Sequence, residues 1–294
     1  MKADPRHLML NLLLGAADRR LAAREAVAAC ALFGIRENAV RVALARLSAA
    51  GLVETAGRGV YRLGPNAARV ADEVATWRDA ERRVRDWNGD WIAAHVGDLG
   101  RSDRAALRAR DRALELLGLR ELDRGLFLRP DNLAGGVGEV RERLLKLGLE
   151  PEAAVFVARS FDAARERRAA ALWDGPALTR GYRDTRARLE KWLGRADALS
   201  LERAARESFL LGNGAIRQLV FDPLLPAPLV DVQARREFAD TVARFDAAGH
   251  EIWNRFLRDG VPRRASTRAR PAPDRRRHAR GAAPPAAAAT LETP

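Results

Sequence analysis

The sequence predicts an α+β protein made of three parts. These are an N-terminal winged helix-turn-helix, a middle ferredoxin-like βαββαβ domain and a C-terminal helical domain. Three observations support this prediction. A helix followed by a two-stranded hairpin pattern begins at residue 34, strand and helix patterns alternate over residues 86–160, and residues 161–257 have helical periodicity. With 294 residues, the chain is long enough for two or three domains.

The helix predicted over Glu37–Ala50 is the most informative element for function. Its large and small apolar residues recur on one face at helical spacing: Val40, Ala43, Leu44 and Leu47. The opposite face carries Asn38, Arg41, Val42 and Ala45, with Arg46 at its edge. Short side chains allow a helix to enter the major groove, Arg and Asn read base edges, and apolar groups meet thymine methyls. The pattern therefore predicts a recognition helix; a surface helix in an alanine-rich chain is the alternative.

The predicted hairpin after this helix has the features of a wing. Strand patterns at residues 52–55 and 60–63 flank Gly57-Arg58-Gly59, where glycine supplies the positive φ angles of a tight turn. Arg58 is then expected at the tip, facing phosphate or the minor groove. Tyr61 on the second strand completes the predicted DNA contacts. Two shorter helices, Leu8–Ala17 and Leu21–Phe33, precede the recognition helix.

The domain boundaries follow from changes in pattern. We expect the winged domain at 1–65, a charged helical connector at 66–85, the ferredoxin-like domain at 86–160, a helical effector and dimerisation domain at 161–260, and a disordered tail at 261–294. Ser102 is the expected N-cap of the first middle-domain helix. Gly212-Asn213-Gly214 is expected to end a helix. The tail is rich in Arg, Pro and Ala and lacks the large apolar residues of a core.

Composition limits the class of partner and the compartment. The net charge of +13 favours a polyanionic partner such as DNA. No apolar stretch reaches the length of a transmembrane helix, so no membrane association is expected. Cys30 is the single cysteine, which excludes internal disulfides and favours the reducing cytoplasm.

No residue pattern indicates catalysis, a cofactor or a structural metal site. The four histidines are scattered, and no nucleophile signature is present. One alternative remains open, because Asp86 and Asp90 flank the first strand of the middle domain. Paired carboxylates at that position could hold a metal ion for phosphodiester cleavage, which would make the protein a nuclease. The alternative roles for these residues are a turn cap and the start of a strand.

Several short motifs occur in an order that resembles a known family. They are GI-x4-VR-x-AL-x-RL-x3-GLVE at Gly34–Glu54, GR-x2-Y-x-L at Gly57–Leu63, W-x-G-x-W at Trp87–Trp91, GLFLRPDNL at Gly125–Leu133 and R-x4-DP-x-LP at Arg217–Pro226. Together they resemble the PaaX family, bacterial repressors of phenylacetic acid degradation. The sequence departs from the family at Asp231–Arg235, where members usually carry a Trp-Gly pair.

The resemblance implies a dimeric cytoplasmic repressor of an aromatic-acid operon, released from its DNA operator by an aryl-acyl-CoA effector such as phenylacetyl-CoA. A dimer also follows from DNA recognition, because a single winged domain reads only a short half-site. We expect the dimer contacts in the middle and C-terminal domains, where tryptophans are available as interface aromatics: Trp87, Trp91, Trp173, Trp192 and Trp253. The effector pocket is expected between those two domains.

Overall fold

A computed structural model describes residues 4–16, 20–67, 76–100 and 102–259 of the chain. The predicted tail at 261–294 and residues 68–75 of the predicted connector lie outside these ranges. The described part is a mixed structure with two small antiparallel sheets, which confirms the α+β class. None of the described helices is both long and apolar enough to cross a membrane.

The helices are α1 Pro5–Gly15, α2 Ala23–Ala31, α3 Glu37–Ala49, α4 Arg104–Leu116, α5 Gly136–Leu147, α6 Ala163–Ala170, α7 Gly175–Leu193, α8 Leu201–Val220 and α9 Val232–Asp259. The strands are β1 Arg20–Ala22, β2 Val53–Gly57, β3 Val60–Leu63, β4 Trp91–His95, β5 Arg120–Asp123, β6 Leu126–Pro130 and β7 Ala154–Ala158.

The N-terminal unit packs α1, α2 and α3 against a three-stranded sheet in the order β1-β3-β2. The prediction that residue 21 begins a helix was wrong, because Arg20–Ala22 instead pairs with β3 as β1. The Ala22 backbone N–H donates to the Glu25 carboxylate at 2.9 Å, so the helix begins only after this strand. Pairing with β3 therefore makes residues 20–22 a strand, although their sequence pattern is helical.

The middle part has the element order β4-α4-β5-β6-α5-β7. Its four-stranded sheet is antiparallel throughout, in the order β5-β6-β4-β7. One sheet face packs on α4 and α5 through Ile92 and Ala94, and the other turns Trp91 and Ala93 towards the C-terminal helices. Asp103, not Ser102, caps α4, because its carboxylate accepts the backbone N–H groups of the first turn.

The predicted connector is not a continuous helix through residue 85. Residues 76–79 and 81–83 form two short 3-10 turns, after which Val84 bridges to Leu133. Trp77 and Ala80 are buried in two different hydrophobic clusters. This segment therefore belongs to the packed core, since the burial of these side chains bends the chain away from a straight helix.

In the C-terminal part, α7, α8 and α9 pack together. The predicted helix stop at 212–214 was wrong, because α8 continues through it to Val220. Gly212 is buried against Phe245, and a Cβ atom there would lie 3.2 Å from the Phe245 ring. This glycine allows close approach of α8 and α9 rather than ending a helix.

The tryptophans predicted for a dimer interface are largely used inside the chain. Trp91, Trp173 and Trp192 are all less than 10% exposed. Trp91 stacks on Trp173 with 6.2 Å between ring centroids, and Trp87 meets the Trp91 ring at 5.1 Å. The interface prediction was therefore wrong for Trp91, Trp173 and Trp192, which are buried within the chain.

Contacts along one side hold the N-terminal unit to α8 and α9. Phe33 meets Phe209 edge to face at 5.4 Å, and Phe209 also packs on the N-terminal core. The His250 Nε2 atom lies 2.6 Å from the carbonyl oxygen of Gly15. The C-terminal helices therefore support the N-terminal unit directly.

Candidate nucleic-acid interface

The predicted DNA contacts on α3 lie together on its solvent side. The opposite stripe is buried in the N-terminal core and consists of Val40, Ala43, Leu44 and Leu47. The exposed residues, which we call the α3 outer face, are Asn38, Arg41, Val42, Ala45 and Arg46. Val42 is 50% exposed, so an apolar side chain lies within this polar face. Such a combination can meet both base edges and thymine methyls.

Local interactions fix both ends of α3. Gly34 forms the turn between α2 and α3 with a φ of +70°, a conformation that favours glycine. Gly51 follows the helix with a φ of +65°. The Asn66 side-chain amide donates to the carbonyl of Ala50 at 2.9 Å and satisfies one of the terminal carbonyls. These contacts give the α3 outer face a fixed direction relative to the sheet.

Arg41 forms an ion pair with a residue one helical turn earlier. Its Nε donates to Glu37 Oε1 at 3.1 Å, and a terminal nitrogen contacts the same oxygen. Both side chains are more than half exposed, and exposed pairs of this kind contribute little to stability. Arg41 can therefore exchange Glu37 for a base or phosphate acceptor at small cost. The i,i+4 spacing was the sequence signal for this pair.

The β2–β3 hairpin presents Arg58 to solvent. Gly57 and Gly59 on either side of Arg58 have φ angles of +152° and +70°. The Gly59 carbonyl accepts the backbone N–H of Ala23 at 2.8 Å, which ties the turn to the start of α2. The exposed Arg58 guanidinium thus projects from a turn that the N-terminal unit holds in place.

Tyr61 lies in a different environment from the other predicted contacts. It is half-buried and packs against the N-terminal core, at the centre of β3 between Leu21 and Thr55. Tyr61 therefore supports the hairpin from beneath, and its ring is not presented to solvent in the manner of Arg58.

The sequence analysis missed further exposed arginines around α3: Arg20, Arg24, Arg36 and Arg62. Arg62 Nε bonds Glu54 Oε1 at 2.6 Å across the β2–β3 pair. The described residues up to 67 carry eight arginines but only four Asp or Glu residues. This excess of positive charge suits a polyanion. The exposure of Arg62 could have been predicted from the alternation of side chains along β3.

Of the two carboxylates proposed for the nuclease alternative, Asp90 has partners within the chain. Asp90 accepts a hydrogen bond from the Asn88 side chain at 3.2 Å and pairs with Arg159 at 3.4 Å. Asp86 is exposed. Within the described residues, no three His, Cys, Asp or Glu side chains come together as metal ligands. Asp90 directly precedes β4, which fits its alternative role at the start of a strand.

Two motifs quoted for the resemblance contact each other in the core. The buried Arg129 donates to the Pro223 carbonyl at 3.5 Å and to the Asn132 side chain at 3.1 Å. Asn132 in turn donates to the Leu224 carbonyl at 2.6 Å. Burial, together with the neighbouring Arg143, lowers the pKa of Arg129 to about 9. The RPDN and DP-x-LP segments thus join the middle part to the C-terminal helices.

A small cavity lies beside this contact, between the middle and C-terminal parts. Its volume is about 30 Å³, and its lining includes Trp77, Arg83, Arg129, Arg143 and Asp222. A volume of this size holds only a water molecule or two, whereas pockets for larger ligands occupy roughly 300–1,000 Å³. An effector of the size of an acyl-CoA would therefore require this contact to open.

The comparisons with known proteins decide the family. The PaaX-like protein family matches residues 6–67, which include α3 and the hairpin, and the PaaX-like protein C-terminal domain matches residues 173–255. The chain belongs to the PaaX-like family. PaaX-like proteins are transcriptional regulators and not enzymes, which supports DNA binding and gives the nuclease alternative no support.

One solved structure similar to this PaaX-like chain is the uncharacterized protein Rv0674 from Mycobacterium tuberculosis. It has 26% sequence identity and a TM-score of 0.52, and the match covers 85% of this chain and 98% of that one. No curated protein sequence matches the chain. The family assignment and this likeness therefore cover the N-terminal unit and the C-terminal helices together.

Proposed function

We propose that this PaaX-like protein is a sequence-specific DNA-binding transcriptional regulator, and that the α3 outer face reads the operator. The observation that carries the proposal is the exposed cluster of Asn, Arg and small apolar residues on a helix whose ends are both fixed. Asn38 and Arg41 contact base edges, and Val42 and Ala45 approach thymine methyls. Arg46 and Arg58 contact phosphates, which adds affinity without sequence preference.

The domain assignments form part of this proposal. Residues 1–65 act as a winged helix-turn-helix, with α3 as the recognition helix and the β2–β3 hairpin as the wing. Residues 86–160 form a ferredoxin-like domain, supported by their βαββαβ element order and the strand order β5-β6-β4-β7. Residues 161–260 form the domain for effector response and dimerisation.

The biological setting comes from the family resemblance. The protein acts in the cytoplasm as a homodimer that represses an aromatic-acid catabolic operon, and an aryl-acyl-CoA such as phenylacetyl-CoA releases it from the operator. Release requires the effector to bind the DNA-free form more tightly than the DNA-bound form. Since the cavity between the middle and C-terminal parts is small, opening of this contact is the step through which the effector acts.

Binding to a selected duplex tests the proposal. Sites enriched from random duplexes should bind the purified protein in preference to scrambled duplexes, and affinity should fall steeply with salt because phosphate contacts release counterions. Addition of phenylacetyl-CoA should reduce binding, whereas CoA alone should not. Equal affinity for every duplex would contradict the regulator function, while indifference to a panel of acyl-CoA thioesters would remove only the effector.

The same assay also measures the nuclease alternative. Labelled duplex incubated with protein and magnesium should remain intact. Cut product that disappears with Asp90→Asn would favour the enzyme over the regulator.

A further inference from the structure

The strand β7 forms an open edge of the four-stranded sheet. Its inner side pairs with β4 in a continuous register that aligns Ala93 with Phe156, without a bulge. No other strand of the described residues pairs with its outer side. An open edge of this kind can accept another strand.

The hydrogen bonds of β4 establish which backbone groups of β7 face outward. The Asp90 carbonyl accepts the N–H of Asp131 at 2.9 Å, and the Val96 N–H donates to the Gly125 carbonyl at 2.8 Å. Even-numbered positions along β4 therefore direct their backbone groups towards β6. Because this direction alternates along an antiparallel strand, the odd-numbered residues of β4 hydrogen-bond to β7.

The outward groups of β7 consequently belong to two valines. Ala154, Phe156 and Ala158 are opposite the odd-numbered residues of β4, so their backbone groups point inward. Val155 and Val157 direct theirs to the open side. The Arg141 side chain donates to the Val155 carbonyl at 2.5 Å, as expected for an outward oxygen, and a second lone pair of that oxygen remains available.

The two edges of the sheet differ in protection against pairing. The opposite edge, β5, carries charged residues and a bulge between Glu121 and Asp123. The Arg168 side chain also donates to the Leu122 carbonyl at 2.9 Å. These features prevent edge pairing in monomeric proteins. Strand β7 itself has only apolar residues and no bulge or proline, and pairing requires the Arg141 side chain to share or leave the Val155 carbonyl.

Two exposed apolar side chains lie near this edge, on opposite faces of the sheet. Phe156 is 43% exposed and Leu145 is 40% exposed, and the other exposed large hydrophobic residue in the described part is Val42 on the α3 outer face. Leu145 follows Arg141 by one helical turn on α5, so it lies on the side of α5 from which Arg141 reaches β7. Phe156 gains burial if another strand pairs here.

The sequence of β7 reads the same in both directions, Ala-Val-Phe-Val-Ala. We propose that two copies of this chain pair through β7, antiparallel, across a two-fold axis at Phe156. The inference rests on the homodimer of the proposed function and gives that dimer a surface. In this register Val155 hydrogen-bonds the partner's Val157, and Phe156 faces the partner's Phe156.

The pairing joins the two sheets into one continuous sheet and fixes the distance between the two copies of α3. In a two-fold antiparallel pair residue i meets residue j and j meets i, so the sequence of β7 places alanine opposite alanine, valine opposite valine and phenylalanine opposite phenylalanine. A five-residue edge spans roughly 16 Å and buries less area than a stable dimer needs. The proposed interface therefore also includes the adjacent surface of α5 with Leu145.

A disulfide cross-link tests the register. In Phe156→Cys, the two cysteines form a non-hydrogen-bonded antiparallel pair with Cα atoms about 4.5 Å apart, within the range of a disulfide. Mild oxidation of the full chain should give a covalent dimer that a reductant reverses. Cys30 does not compete, because it is buried and burial raises its thiol pKa to about 11.

Ala154→Cys is the matched control, because Ala154 is also exposed and lies on the same face of β7. In the proposed register it lies about 13 Å from its symmetry mate, so this variant alone should not cross-link. A mixture of Ala154→Cys and Ala158→Cys chains should cross-link, because these positions face each other. Cross-linking of Ala154→Cys alone would contradict the register.

Sedimentation separates failure of this surface from failure of the dimer. The unmodified chain should have the mass of a dimer, and Phe156→Lys should reduce it to that of a monomer while circular dichroism shows an intact fold. A dimer that survives Phe156→Lys and does not cross-link through Phe156→Cys would overturn the β7 edge and leave the homodimer standing. A monomer on its operator duplex would overturn both, without affecting the DNA contacts of α3.

Discussion

Arg110 on α4 is almost fully buried, with only 5% of its side chain exposed. Its Nε donates to Glu150 Oε2 at 3.0 Å, and a terminal nitrogen donates to the Gly100 carbonyl at 3.0 Å. The hydrogen bond from Arg110 lowers the pKa of the Glu150 carboxyl below its usual range. Because the guanidinium remains charged when its partner is removed, this pair makes a measurable contribution to the stability of the middle part.

Glu150→Gln should reduce the free energy of unfolding by about 1–3 kcal/mol at neutral pH. The pKa of Glu150 is lower in the folded state, so its contribution is present above the unfolded pKa of about 4.3 and is lost as pH falls through the folded pKa. Urea unfolding at pH 7 and at acid pH should show that the difference in unfolding free energy between the unmodified protein and Glu150→Gln becomes smaller as the pH falls. Glu115→Gln, an exposed control on α4, should have little effect. A pH-independent deficit in Glu150→Gln would contradict the ion pair.

At the residue scale, the sequence predicts which residues of a helix are buried and which are exposed, because this depends on helical spacing. The position of Val42 opposite the buried Val40 follows from periodicity alone. The surroundings of Tyr61 and Trp91 do not, because an aromatic ring can serve a core or an interface, and only the packed neighbours decide between them.

At the scale of elements, α8 offers a direct comparison between two glycines. Gly212 is buried against Phe245, whereas a Cβ atom at Gly214 would meet open space. Neither glycine has a positive φ angle. Gly214→Ala should therefore raise the free energy of unfolding by about 0.5–1 kcal/mol, because alanine restricts the unfolded chain and favours the helix.

Gly212→Ala is the matched control and should lower stability, since its Cβ atom would press on the Phe245 ring. Thermal unfolding of both variants measures the contrast. Equal stabilisation by the two substitutions would show that α8 and α9 do not pack as closely as described.

Element boundaries were predictable where local signals decide them. The start of α3 at Glu37 and its end before Gly51 follow from pattern and glycine. Strand β1 was not predictable, because it exists only through pairing with β3, which lies far away in sequence. The bend in the predicted connector likewise depends on burial of Trp77 by distant residues.

At the scale of the whole molecule, the N-terminal unit is joined to the helices that form the C-terminal part. The Asn11 side chain donates to Asn213 Oδ1 on α8 at 3.0 Å, and His250 on α9 lies against the Gly15 carbonyl. The roles of these polar residues could not be predicted from the sequence, because their partners are more than 200 positions away. Movement of α8 or α9 would therefore reposition α3, which gives the proposed effector a physical route to the operator.

The measurement that tests the central claim most directly is base discrimination by Arg41→Ala. Anisotropy titrations should compare the selected operator with all single base-pair variants, alongside Arg46→Ala and an exposed control on α4, Arg112→Ala. We expect Arg41→Ala to lose about 1–3 kcal/mol of binding free energy and to accept several bases at one position. Arg46→Ala should weaken every duplex alike, and Arg112→Ala should bind as the unmodified protein. Full affinity and unchanged discrimination in Arg41→Ala would contradict the assignment of α3 as the reading helix.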